Sequence, residues 1–121
     1  MHRFSTSSFL NAGVAICAMA AMSHASASGD VEAGRSLAYE VGKGNCLACH
    51  AVPSDPKAVT SANIGPPLTQ IRSRFPSRER LLEQLRDPMK FNQETVMPPF
   101  GKHGILTEQE LERIVDFLYT L

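Results

Sequence analysis

Apolar residues recur at helical spacing in several stretches of the chain, and loops rich in glycine and proline separate these stretches. The C-terminal stretch is the clearest, and its apolar positions form one stripe: Leu111, Ile114, Val115 and Leu118. Residues 107–110 form a capping box, in which the Thr107 hydroxyl and the Glu110 carboxylate each accept a hydrogen bond from an otherwise unpaired backbone N–H. The pattern predicts an amphipathic C-terminal helix that covers a core.

Three further helical segments are predicted upstream. Asp30 is expected to cap a first helix that ends near Gly42 and Gly44 and has this apolar face: Val31, Gly34, Leu37, Ala38 and Val41. A short helical segment carries the apolar residues Leu68, Ile71 and Phe75. Another helix runs from about Ser77 to Arg86, where Asp87-Pro88 ends it. Gly34 would allow a second helix to approach closely, with Phe117 as the natural partner. The alternative is that Gly34 is a weak helix position without a packing role.

The N-terminus has the features of a secretory signal peptide. Arg3 precedes an apolar stretch, residues 9–22, and Ala25-Ser26-Ala27 matches a small-x-small cleavage site. We expect cleavage after Ala27, which leaves residues 28–121 as a single domain without a stable membrane span; retention as an uncleaved anchor is the alternative. Cys17 follows Ile16, where a lipoprotein signal needs a small residue. We therefore interpret Cys17 as an apolar residue of the signal peptide that is removed on cleavage.

Charge excludes one class of function and leaves the others open. The 12 Lys and Arg residues balance the 12 Asp and Glu residues, and no basic patch suggests nucleic acid binding. Four arginines cluster in the middle of the chain, either as a solvated helix face or as partners for acidic groups: Arg72, Arg74, Arg78 and Arg80.

The most informative motif is Cys46-Leu47-Ala48-Cys49-His50, because C-x-x-C-H is the attachment pattern of a c-type haem. Two thiols on one side of a turn can add to the two vinyl groups of a porphyrin, and His50 can then be the proximal ligand of the iron. A thioredoxin-like motif would need a βαβ context, and a zinc site would need a second ligand pair at close spacing; the sequence shows neither. We therefore predict one covalently bound haem c.

The mature chain resembles the class I cytochromes c, in which N- and C-terminal helices cross beside the haem. The resemblance implies an all-α, class I cytochrome c-like fold. It extends to residues 65–68, Gly-Pro-Pro-Leu, which place Pro66 and Leu68 at the haem. The carbonyl of Pro66 would accept the second ring N–H of His50, which fixes the tautomer of the ring. The neighbouring Pro67 leaves the register open by one residue.

The sixth iron ligand should come from the C-terminal half, where three candidates are present. Met97 is favoured because the prolines that follow it restrict the backbone of its loop. His103 has the surroundings of an exposed turn, and Met89 follows a helix stop and is more typical of core filling. Methionine ligation would favour electron transfer over the binding of small gases.

The C-terminal run, residues 95–107, together with residues 114–119, 44–45 and 63–68, resembles the SoxX family, the mono-haem cytochromes of the Sox thiosulfate-oxidising system. That resemblance implies a periplasmic heterodimer with a SoxA-type cytochrome. The complex is an L-cysteine S-thiosulfotransferase that couples thiosulfate to a cysteine of a sulfur-carrier protein. The sulfur chemistry occurs on the A subunit, and the X haem passes electrons to a soluble acceptor cytochrome. No catalytic residue is expected on this chain.

Two other functions remain open from the sequence. The first alternative is a freestanding respiratory electron carrier, which would have the same haem but no fixed partner. The second is a haem-based sensor or ligand-binding module, which would require a labile or missing sixth ligand.

Overall fold

The computed structural model describes residues 25–121, with side chains from Asp30 onwards. It contains four α-helices in this part of the chain: α1 (Ala25–Tyr39), α2 (Ile71–Arg74), α3 (Arg78–Arg86) and α4 (Glu108–Leu118). Two 3₁₀ turns, Cys46–Ala48 and Pro88–Lys90, complete the regular structure, and the described residues form no strand. The all-α prediction is confirmed.

Features predicted for the signal peptide at Arg3, at Cys17 and in residues 9–22 lie outside the described residues. The division into a signal peptide, residues 1–27, and a cytochrome domain, residues 28–121, stays a prediction. Across residues 25–121, every helix is too short or too polar to traverse a lipid bilayer.

Helices α1 and α4 cross at Gly34. A Cβ atom on Gly34 would lie 1.9 Å from the carbonyl oxygen of Arg113 and 3.1 Å from the Cβ of Phe117. Contacts this short leave no room for a side chain, so glycine permits the two backbones to touch. The fully buried ring of Phe117 then packs edge-on against Tyr39, with ring centroids 5.6 Å apart. The predicted Gly34 crossing is confirmed.

The start and end of α1 differ from the prediction. The helix begins at Ala25, so Asp30 lies inside it and does not cap it; alanine, the strongest helix former, occupies two of the five helical positions before Asp30. The carboxylate of Asp30 instead lies 3.6 Å from Nε of Arg113 on α4. Val41 lies beyond the end of α1 and is 81% exposed, so its predicted place on the buried face is wrong.

The ends of α3 and α4 follow the predicted capping chemistry. Ser77 accepts a hydrogen bond from the N–H of Arg80, and both halves of the Thr107/Glu110 capping box are present. Leu106 packs into the core just before the box. The core extends across α1, α3 and α4 and includes these residues: Ala38, Leu81, Leu82, Leu85, Leu111, Ile114, Val115, Phe117 and Leu118.

A buried carboxylate, Asp55, fastens the loop after the C-x-x-C-H motif to α1. Its Oδ2 accepts a hydrogen bond from the Tyr39 hydroxyl at 2.8 Å and lies 2.9 Å from Nε of Arg35, while its Oδ1 accepts from the N–H of Lys57. Burial raises the pKa of Asp55, but these three partners together outweigh burial and lower it below the usual range. Burial and donation to Asp55 raise the pKa of Tyr39.

The low pKa of Asp55 makes its contribution to stability dependent on pH. A carboxylate with a lowered folded-state pKa stabilises the fold above its unfolded value of about 3.9, and this contribution disappears as the pH falls through the folded-state value. We expect Asp55→Asn to lower the free energy of unfolding by about 2 kcal/mol at pH 7. The difference from wild type should shrink as the pH falls below about 4.

Urea unfolding of both proteins at a series of pH values measures this difference. Glu94→Gln, at an exposed loop position, is the matched control and should leave stability nearly unchanged at every pH. A difference between wild type and Asp55→Asn that stays constant down to pH 3 would show that Asp55 acts by shape and not by charge.

Candidate functional site

A cavity of about 580 Å³ opens beside the core, between the C-x-x-C-H segment and the loop that carries Met97. This volume lies within the range of about 300–1,000 Å³ that is typical of sites for small molecules and cofactors. Most of its lining is apolar and comes from residues distant in sequence, among them Ile64, Leu68, Ile71, Phe75, Leu81, Leu85, Val96, Phe100, Ile105 and Leu118. All six predicted site residues are brought to this cavity: Cys46, Cys49, His50, Pro66, Leu68 and Met97.

The C-x-x-C-H segment reaches the cavity through a tight turn at the end of α1. The N–H groups of Lys43 and Asn45 both donate to the carbonyl of Glu40, and Asn45 adopts a left-handed conformation with φ 45°. Asparagine tolerates this conformation better than most residues. The 3₁₀ turn Cys46–Ala48 follows, and the N–H of His50 donates to the carbonyl of Cys46. This turn places both cysteines and the histidine on one wall.

Both cysteines are free thiols on that wall. Burial raises the pKa of the Cys46 thiol to about 11. Redox-active cysteines of the C-x-x-C type have lowered pKa values instead, because the thiolate is the reactive species. In residues 25–121 no three His, Cys, Asp or Glu side chains are grouped closely enough to hold a metal ion. The raised pKa of Cys46 is thus the opposite of what an activated thiol needs.

The ring of His50 is oriented by a backbone carbonyl. Its Nδ1 lies 2.7 Å from the carbonyl oxygen of Pro66 and can donate its proton there, which leaves the lone pair of Nε2 available for a metal. The carbonyl of Pro67 accepts from the guanidinium of Arg74 at 2.8 Å. Of the two prolines considered, Pro66 is therefore the one whose carbonyl faces His50.

Gly65 is a site residue that the sequence did not reveal. A Cβ atom there would lie 2.3 Å from Cε1, 2.6 Å from Nδ1 and 2.8 Å from Nε2 of His50, so the backbone of Gly65 lies flat against the imidazole ring. The N–H of Gly65 donates to the carbonyl of Cys49, and the N–H of Leu68 donates to that of Ala51. These two bonds hold the 65–68 segment beside the histidine.

The three candidates for a sixth ligand lie in different places. Met97 is half-buried, lines the cavity and has its N–H bonded to the Thr95 hydroxyl. Met89 is 43% exposed on the 3₁₀ turn after α3 and does not line the cavity. His103 is exposed in the turn before α4 and is also absent from the lining. Of these three residues, Met97 shares the cavity with His50.

The residues present fit a covalently held porphyrin. An apolar cavity of suitable volume has two thiols and a histidine on one wall, and a thioether at Met97. Histidine and methionine are an established ligand pair of c-type haem iron, and two cysteines at this spacing are its attachment points. The roles of the six residues in binding haem stay predictions.

The basic cluster predicted in the middle of the chain is dispersed in the structure. Arg78 pairs with Glu112 and Asp116 on α4. Arg80 stacks on the ring of Phe91, and Arg72 on the ring of Tyr119. Arg74 is the one of the four that lines the cavity. The cluster is therefore not a single charged surface.

Residues 29–118 match the family model described as cytochrome C oxidase, cbb3-type, subunit III. The chain is also 35% identical over 77 residues to an uncharacterized lipoprotein of Aquifex aeolicus (strain VF5). That match covers 64% of this chain and 36% of the relative, so the chain spans little more than a third of the relative's length.

The fold also matches a solved structure, the crystal structure of SoxXA from P. pantotrophus. The TM-score is 0.66 and the sequence identity is 27%. The match covers 74% of this chain and 79% of the chain in that structure. The predicted class I cytochrome c-like fold is confirmed by this similarity together with the family match.

The contact between Gly65 and His50 makes a substitution at this glycine informative. We expect Gly65→Ala to push the ring away from the Pro66 carbonyl and to lower the free energy of unfolding by about 1–3 kcal/mol. Denaturant unfolding of the haem-loaded protein measures this loss, and the yield of loaded protein should fall as well.

Gly42→Ala is the matched control, because a Cβ at Gly42 meets no atom within 4 Å. It should fold and load as the wild type does. Wild-type stability and loading in Gly65→Ala would show that the ring can shift without cost.

Proposed function

This chain belongs to the family described as cytochrome C oxidase, cbb3-type, subunit III, and is a SoxX-like cytochrome; on that premise we propose that it is a periplasmic mono-haem electron-transfer subunit. The observation that carries the proposal is the meeting of Cys46, Cys49, His50 and Met97 around one apolar cavity. Cys46 and Cys49 would attach the haem, and His50 and Met97 would ligate its iron.

A haem bound here would supply reversible one-electron transfer between the ferric and ferrous states. The protein's contribution is to keep the iron environment constant between these states. The Pro66 carbonyl orients His50, the backbone of Gly65 supports the ring, and the apolar walls exclude water. If His50 and Met97 both hold the iron, a bound haem would favour electron transfer over binding of an external ligand.

We propose that the electrons come from a partner cytochrome. The matched solved structure is named as a SoxXA complex, and the chain matched there is similar to this chain over most of its length. By analogy, this chain would pair with a SoxA-type cytochrome, accept electrons when thiosulfate is coupled to a cysteine of a sulfur-carrier protein, and pass them to a soluble cytochrome. Cys46 and Cys49, once attached to haem, leave no thiol for sulfur chemistry in the described residues.

A second candidate function is electron delivery towards a terminal oxidase, without a SoxA-type partner. The description of the family model, which names an oxidase subunit, favours this alternative. The haem site would be the same in both cases, so the partner distinguishes them. Export through a signal peptide, residues 1–27, is part of both proposals.

Methionine ligation can be tested by spectroscopy. The ferric wild-type protein should show the charge-transfer band of methionine-ligated haem, and Met97→Ala should lose it. Met89→Ala and His103→Ala are matched controls, because neither residue lines the cavity, and both should retain the band. An unchanged spectrum in Met97→Ala would contradict the assignment of the sixth ligand.

The proposed partner can be tested with the haem-loaded chain. It should co-purify with a SoxA-type cytochrome from the same organism, and its haem should become reduced when that cytochrome, the sulfur carrier and thiosulfate are all present. A carrier that lacks its reactive cysteine is the control and should abolish the reduction. A protein that stays monomeric and oxidised under these conditions would favour the oxidase alternative.

A further inference from the structure

The cavity face of α3 carries one polar residue among buried leucines. Leu81 and Leu85 are almost fully buried and line the cavity, and Gln84 lies between them on the same face and also lines it. An amide in an apolar wall loses free energy unless its hydrogen-bonding groups find partners. Gln84 is half-buried, and the partner of its amide nitrogen is Met97.

We infer that Gln84 is a positioning residue for the sixth iron ligand, and that its side-chain amide donates a hydrogen bond to the sulfur of Met97. The inference rests on the proposed role of Met97. Nε2 of Gln84 lies 3.9 Å from Sδ, which is within hydrogen-bonding range for the large sulfur atom. The thioether is an acceptor and not a donor, so the nitrogen of the amide, and not its oxygen, faces the sulfur.

The hydrogen bond is compatible with metal ligation. A thioether sulfur has two lone pairs, so one can bind iron while the other accepts from Gln84. The backbone of the same residue is held separately, since the N–H of Met97 donates to Oγ1 of Thr95 at 3.2 Å. One contact therefore fixes the main chain of Met97, and the other fixes the end of its side chain.

Methionine needs such a contact more than most ligands do. Its side chain has three rotatable bonds and adapts easily to other positions. Without the Gln84 amide, the sulfur would spend more time away from its ligating position. An external ligand would then displace Met97 more easily, although the haem and His50 would be unchanged.

Imidazole titration of the ferric protein tests this inference. Gln84→Leu keeps a similar volume and removes the donor, and we expect it to bind imidazole about fivefold more tightly than wild type, which corresponds to about 1 kcal/mol. Gln109→Leu makes the same change at an exposed position on α4 and should match wild type. Equal imidazole affinities of Gln84→Leu and wild type would overturn the inference.

Nuclear magnetic resonance of the unaltered ferrous protein gives an answer that does not depend on the folding of a variant. The side-chain amide protons of Gln84 should show a nuclear Overhauser effect to the methyl group of Met97. They should also exchange with solvent more slowly than those of Gln109. Exchange as fast as that of Gln109, without the Overhauser effect, would overturn the inference.

The results separate this inference from the proposed function. If wild type lacks the methionine charge-transfer band, the ligand assignment fails and the role of Gln84 fails with it. If the band is present but imidazole affinity does not respond to Gln84→Leu, only the inference fails and Met97 remains the ligand.

Discussion

The contact between Gly34 and the backbone of Arg113 is the constraint on which the rest of the structure depends. It brings α1 and α4 together until no side chain fits between them, and the ring of Phe117 fills the space beside the crossing. The C-x-x-C-H segment follows α1, and the Met97 loop precedes α4. Close packing of α1 and α4 therefore sets the positions of both walls of the cavity. The shape of the site thus depends on the absence of a side chain at Gly34.

The cavity takes the place that a larger apolar core would occupy in a longer domain. Short chains bury a small fraction of their surface and often need a covalent or metal cross-link for stability. Leu81, Leu85 and Phe100 belong both to the core and to the cavity lining. A bound porphyrin would extend this core, because its apolar faces would pack against these side chains.

Features that depend on residues close together in sequence could be predicted, whereas contacts between distant residues could not. The Thr107 capping box and the apolar stripe of α4 follow from residues close together in sequence, and the C-x-x-C-H motif by itself indicates haem attachment. The buried cluster at Asp55 depends on partners up to 20 residues away, and aspartate in a polar loop carries no sign of burial. The role of Gly65 is steric and becomes visible only when His50 lies against it.

The Met97 loop is tied down at one end by backbone hydrogen bonds. The N–H of Phe100 donates to the carbonyl of Leu85, and the N–H of Lys102 donates to that of Arg86, so the chain after Met97 is fixed to the end of α3. At its other end the segment follows Pro88, a buried proline at the start of the second 3₁₀ turn. The segment 89–99 is thereby a separable module. Its sequence could change in evolution, and with it the side chain that this segment presents to the cavity, while the helical core and the C-x-x-C-H wall are inherited intact.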